Sequence, residues 1–215
     1  MSKHTRASIV ARASAIALGI VLASCRLVPA SPDTLVLTPQ TVLIVVPAVP
    51  QEEGNECGLA SLATLCDYYG VELPAAARER LARLAEEHDG LSGGELRAAL
   101  REAGFEAYLF QGTLDWETTG LYHQIDSRRP PLVMISRDGE KQHACLVTGY
   151  DCSTESIYVY DPRRGHLRVP TSDFEALWRN ARFFTLLALP RAPDREEEEP
   201  VEETSTDAAV RIVAR

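Results

Sequence analysis

No cluster of Lys and Arg occurs anywhere along these 215 residues, and the formal charge is −9. Both facts argue against a nucleic-acid partner, because phosphate recognition starts from a basic surface. No Cys/His pair stands at metal-ligand spacing, so no metal is expected. The glycine pair after Ser92 lacks the Lys-Ser/Thr that completes a phosphate loop, and Ser92-Gly93-Gly94-Glu95 reads instead as a helix start. There is no internal repeat. What remains is a chain with 45% apolar residues, enough for one medium domain with tails.

The two ends are unlike the middle. Residues 1–25 read as a targeting segment: Lys3, Arg6 and Arg12 make a basic start, and Ala13 to Ala23 are apolar apart from Ser14 and Gly19. That run falls short of the about 20 residues a membrane span takes. It ends Leu22-Ala23-Ser24-Cys25, which resembles a bacterial lipobox; an ordinary secretory signal is the alternative. By that resemblance Cys25 is lipidated and becomes the mature N-terminus, and Arg26 after it points to the periplasmic face of the outer membrane. Residues 26–46 read as a tether, with Thr41 to Val46 β-branched enough for a leading strand. Residues 190–215 carry Glu196 to Glu199, Glu202 and Glu203 among Pro, Ser and Thr, and are expected to form an acidic disordered tail.

The informative stretch is Gln51-Glu-Glu-Gly-Asn-Glu-Cys57-Gly58, running into a helical pattern with Leu59, Leu62, Ala63 and Cys66 on one face and Gly70 at its end. With Asn55 as N-cap, Cys57 falls in the first turn, where free N–H groups and the helix dipole favour a thiolate. Gly58 is expected to leave the sulfur uncrowded, and Gln51 to reach it as an oxyanion donor. Far downstream, His143 starts a strand, and the next strand ends at Tyr160-Asp161-Pro162. A turn near Asp151–Glu155 would pair these strands and bring His143 to Asp161, with Asp151 as the rival acid. His4, His88, His123 and His166 are read as leader, helix-end, packing and turn residues. Cys66, Cys145 and Cys152 are read as packed thiols, able to form one disulfide at most.

Cys, then His, then Asp, with Gln before the Cys, is the order of papain-like cysteine peptidases. Within that group, the Gln-(five residues)-Cys-Gly-x-Ala-Ser-Leu-Ala run ending in Tyr-Tyr-Gly resembles the bacteriocin-processing double-glycine leader peptidases. The His143 strand and the Tyr-Asp-Pro strand end match that family's other signatures, and the likeness runs roughly from Val49 to Leu189. The resemblance implies Cys57 as nucleophile, His143 as base and acid, Asp161 as its orienter and Gln51 as oxyanion donor. It needs no cofactor and implies a peptide or protein substrate. In the family this domain usually begins a larger transporter; here a stand-alone domain with a lipoprotein signal is expected. Other acyl transfers on the same triad (transpeptidase or amidase work) and a membrane-tethered peptide-binding module are the competing readings.

The fold implied is α+β, papain-like, with an N-terminal helical part packed on a C-terminal antiparallel sheet over residues 47–189. Helices are expected from Pro74 through Ala85, from Ser92 to Gly104, over Asp115–Arg128, and from a Ser172 cap through Trp178. Strands are expected over Phe105–Phe110, Leu132–Ser136, from His143, up to Asp161, over Leu167–Val169 and over Arg182–Leu189.

Overall fold

The computed structural model describes residues 28–29, 37–52 and 54–191. The targeting segment with Cys25, residues 30–36 of the expected tether and the acidic stretch after Arg191 lie outside the described residues.

One antiparallel sheet organises the domain. Its strands are β1 (Val28–Pro29), β2 (Val42–Leu43), β3 (Phe105–Gln111), β4 (Leu132–Ser136), β5 (Gln142–Asp151), β6 (Ser156–Asp161), β7 (Gly165–Pro170) and β8 (Phe184–Pro190). Their order is β1-β7-β6-β5-β4-β8-β3, with β2 pairing β5 off this path. The α+β layout of helices against an antiparallel sheet is therefore observed. One refinement concerns β1 and β2, which bring N-terminal residues into the sheet itself.

Against the sheet lies α1 (Cys57–Tyr68), whose residues Gly58 to Cys66 are all buried. A helix apolar on every side belongs at the centre of a fold, and α1 packs on β5 with α2 and α3 beside it. On α2 (Ala75–His88), Ala77, Leu81 and Ala85 form a single inward stripe. On α3 (Gly93–Glu102) the expected capping box is present: Glu95 N–H donates to Ser92 Oγ at 3.3 Å, and Ser92 N–H donates to the Glu95 carboxylate at 2.7 Å. The next helix, α4 (Leu121–Asp126), lies against β5, and α5 (Thr171–Asn180) against β4.

Three local expectations need correction. Asn55 is not the N-cap of α1. Glu56 is, without a side-chain cap bond, while the Asn55 amide donates to Ala85 O at 2.8 Å and ties α1 to the end of α2. The helix expected over Asp115–Arg128 shrinks to α4, because Asp115 Oδ1 accepts from Thr113 Oγ1 and Glu117 N–H and holds the chain in a side-chain turn. Ser172 does not cap α5; the cap lies two residues earlier at Pro170, without a side-chain cap bond, and the helix starts at Thr171.

Within 26–46, the described part is bound to the domain. Ile44 and Val46 are buried, Ile44 N–H donates to Thr148 O at 2.7 Å, and Val42 lies so close to Gly149 that a side chain there would strike Val42 O. Strand pairing is confined to Val42–Leu43 of the six residues expected.

Candidate active site

Three elements meet where the central strands of the sheet end: the first turn of α1, the start of β5 and the end of β6. Register explains why. Leu146 faces Tyr160, so one step further sets Asp161 beside Cys145, and His143 follows two residues along on the same face. His143 Nε2 lies 2.9 Å from Asp161 Oδ1. The other ring nitrogen is left to face Cys57, whose thiol the neighbouring imidazole pulls toward the thiolate. Ala144 N–H donates to Cys57 Sγ at 3.5 Å, and the Gly58 N–H also turns to the sulfur.

These contacts set the charges. Burial pushes the Cys57 thiol up, but bonds to His143 and the two N–H groups outweigh it and leave the pKa below the usual thiol value. Burial pulls His143 down, yet Asp161 and Cys57 hold it up at about 9. Burial likewise disfavours the Asp161 carboxylate, which its histidine and arginine neighbours bring down to about 2. All three shifts favour a thiolate, an imidazolium and a carboxylate in a row. Cys66 is held up at about 11 by burial and Asp67, and burial likewise pushes Cys145 well above the usual thiol value. All four described cysteines are free thiols, so no disulfide joins Cys66, Cys145 and Cys152.

Asp151 does not compete for His143. It sits at the far end of β5, eight residues or roughly 26 Å along an extended strand. His88 pairs with Glu95 at 3.4 Å, and His166 rests on the Tyr160 ring at 5.1 Å. His123 is half-buried on α4.

Gln51 is fastened near the triad through its backbone: its N–H donates to Pro162 O at 3.1 Å, one residue after Asp161. It is half-buried, and it is not among the residues lining the groove described next. Gly58 serves packing. A Cβ there would meet Leu91 at 3.3 Å and Leu96 at 3.4 Å, so the glycine lets α1 close on α3, and Gly58 also lines the groove beside Cys57.

A groove of about 1000 Å³ opens over Cys57 and His143. One wall comes from the α2–α3 connection, His88 to Ser92, and the other from the β4–β5 hairpin, Ser136 to Gln142. Lys141 Nζ reaches Asp89 Oδ2 across it at 3.3 Å. Neither wall carried a functional signal in the sequence, where His88 and Ser92 read only as helix-end and helix-start residues. Arg164, which also lines the groove and bonds Asp161, was missed as well; the Asp161-Pro-Arg-Arg164 turn with an acid and a base three apart was the available hint. Among the described residues there is no group of three His, Cys, Asp or Glu placed to hold a metal ion, and no helix long and apolar enough to cross a membrane.

Comparison with known proteins is consistent across sequence and fold. A family model described as Peptidase C39 family matches residues 45–186. Over 158 residues the chain is 27% identical to the lactococcin-G-processing and transport ATP-binding protein LagD of Lactococcus lactis subsp. lactis, covering 73% of this chain and 20% of that protein. Over 150 residues it is 28% identical to the transport/processing ATP-binding protein ComA of Streptococcus pneumoniae strain R6, covering 69% of this chain and 20% of that protein. The chain thus spans about a fifth of the length of these curated relatives. Among solved structures, a double glycine motif protease from an AMS/PCAT transporter, in complex with the leader peptide, superposes with a TM-score of 0.54 at 24% identity, covering 69% of this chain and 94% of that one. A C39-like peptidase from Bacillus anthracis superposes with a TM-score of 0.54 at 19% identity, covering 71% and 99%.

Proposed function

The chain belongs to the peptidase C39 family, and we propose that it hydrolyses peptide bonds through Cys57, His143 and Asp161. The observation that carries this reading is the grouping of Cys57 and His143 in the lining of an open groove, with the His143 ring held from behind by buried Asp161 at 2.9 Å.

In the proposed reaction the Cys57 thiolate attacks the carbonyl carbon of the scissile bond, forming an S–C bond and moving an electron pair onto the oxygen. The Cys57 backbone N–H in the first turn of α1, together with the Gln51 amide, would hold that oxyanion. As the C–N bond breaks, the imidazolium gives its proton to the leaving amine. Water, deprotonated by the now neutral His143, then attacks the thioester and regenerates the thiolate. Asp161 keeps the ring in the orientation that faces sulfur on one side and carboxylate on the other.

The substrate proposed is an exported peptide or protein, a double-glycine-type leader among the candidates. The neighbour solved with a leader peptide supports a peptide in the groove. A membrane address through a lipid on Cys25 is proposed from Leu22-Ala23-Ser24-Cys25 alone. Palmitate labelling that persists in a Cys25→Ala variant, or is absent from the wild type, would remove that part.

The test of the chemistry is alkylation by iodoacetamide at mildly acidic pH, with labelled sites located by mass spectrometry. Cys57 is expected to react while Cys66, Cys145 and the exposed Cys152 barely do. Equal labelling of the four thiols would sink the assignment. Screening a peptide library with the protein would then define the substrate.

A further inference from the structure

Asp161 has two carboxylate oxygens, and His143 uses one of them. We propose that Arg164 is a positioning residue for the peptidase reaction, its guanidinium fixing Asp161 in the orientation that holds His143 and sharing the carboxylate charge so that His143 can release its proton. This rests on the Cys57, His143 and Asp161 reading above.

The geometry is specific. Arg164 Nε donates to Asp161 Oδ2 at 2.7 Å, and its Nη2 lies 2.6 Å from the same oxygen. Arg163 N–H donates to Oδ1 at 2.9 Å, and Arg164 N–H donates to Asp161 O at 3.1 Å. The Asp161 side chain is 1% exposed, whereas Arg164 keeps 32% of its own in the groove. A carboxylate this buried needs donors on every lone pair it can offer; a histidine bond alone would leave Oδ2 without compensation. A planar fork supplies two donors from fixed positions, which an ammonium cannot.

The second role is electrostatic. A cation on Oδ2 draws charge away from Oδ1, and it also opposes a positive charge on His143. Without it, the carboxylate holds the imidazolium more tightly and the ring becomes a poorer acid toward the leaving amine. The other groups facing this pair are Cys57 from α1, Cys145 on β5, Tyr160 on β6 and Arg163 in the turn; Arg137, Asp138, Glu140 and Lys141 line the hairpin wall, and His88, Asp89 and Glu95 the opposite one. Among them, Arg164 alone is an ion-pair cation on Asp161 besides His143.

The experiment compares the full chain with Arg164→Gln and Arg164→Lys, following the His143 ring by NMR across pH and the iodoacetamide alkylation rate of Cys57 at pH 6. In Arg164→Gln the His143 titration is expected to rise by about one unit, a tenfold change in proton affinity. Arg164→Lys should titrate near the wild type, because the charge remains, yet alkylate several-fold more slowly, because the fork is gone. An unmoved or lowered His143 titration in Arg164→Gln overturns the proposal. If that variant does not fold, wild-type alkylation by Arg164→Lys overturns it instead, and slowed alkylation with unmoved titration supports it. Wild-type Cys57 reacting no faster than Cys152 at pH 6 would be a different result, the failure of the triad reading itself.

Discussion

Two aspartates close the two ends of the β5–β6 hairpin, and each is 1% exposed. At the turn end, Asp151 accepts from Thr38 Oγ1 and Thr41 Oγ1 at 2.7 Å each, from Ser153 Oγ at 2.7 Å and from the N–H groups of Ser153 and Thr154. Burial raises its pKa, but five donors outweigh it and hold the group ionised far below the usual carboxylate range. At the open end, Asp161 meets two cations, His143 and Arg164, and one of these is titratable and in contact with a thiol. Equal burial thus gives different work. A carboxylate satisfied by hydroxyls and N–H groups can only stay as it is, so Asp151 staples Thr38 and Thr41 to the sheet. A carboxylate satisfied by an imidazole can pass on a change of charge, so Asp161 has a place in a reaction.

The strongest test of this division removes the groups that only the open end has. Cys57→Ala or His143→Ala should lower turnover of any peptide substrate by about four orders of magnitude or more, since the two act as one unit. Thermal melting of Cys57→Ala should change little by comparison, whereas His143→Ala should also lose the stability its pairing with Asp161 supplies at neutral pH. A variant retaining appreciable turnover would break the comparison at its chemical end.

Asp161→Asn against Asp151→Asn is the direct contrast. Asp161→Asn is expected to cut turnover on the order of 100-fold. It should also move the His143 titration down from about 9 in the direction of 6.5, because one of the two partners that raised it is gone while Cys57 remains. The linkage follows from that shift. A histidine at about 9 in the folded state stabilises it fully below 6.5 and ceases to do so as pH rises through 9. The wild type should therefore lose stability between pH 6.5 and 9 relative to Asp161→Asn, which scanning calorimetry across that range would measure. Parallel stability curves for the two proteins would contradict the ion pair. Asp151→Asn should do the reverse of its counterpart, leaving turnover near wild type while Tm falls by several degrees.

The open end was legible in the sequence because chemistry constrains it locally. Cys57 must start a helix and Asp161 must end a strand before Pro162, and both leave marks on neighbouring residues. The sheet and its helices were readable from periodicity for the same reason. What stayed hidden depends on contacts between distant residues. The role of Asp151 comes from Thr38 and Thr41, more than 100 positions away, and no spacing reports it. Gly58 was read only through its neighbour Cys57, and the approach of Leu91 and Leu96 to it left no mark in the spacing. The short α4 follows from a single side-chain turn at Asp115 that overrides helix propensity across the preceding residues.

Gln51 tests how far the open end extends. Its backbone is held to Pro162, so Gln51→Ala should leave the fold and the Cys57 thiolate intact. Loss of one oxyanion donor would slow turnover on the order of 100-fold. Acid-pH alkylation of Cys57 at the wild-type rate, combined with slowed turnover, is the expected pair of results. Normal turnover would mean that another donor completes the hole and that the chemical end stops at Asp161.

The smallest expected effect lies in the staple. Thr38 Oγ1 and Thr41 Oγ1 donate to the same Asp151 oxygen, and Ser153 with two backbone N–H groups serves the other. Removing one hydroxyl by Thr38→Val leaves four of the five donors in place, so the charge stays solvated by the protein and the loss should be about 1 kcal/mol, the scale of one hydrogen bond. Thr38→Val with Thr41→Val leaves Oδ2 with no donor from that segment, and the cost should exceed the sum of the two single changes, because the second valine strands a buried charge that the first did not. Denaturant melts of the three variants measure this, with peptide turnover as the control that should not move. Simple additivity would show that Asp151 finds replacement donors, and that the turn end of the hairpin is less committed than its burial suggests.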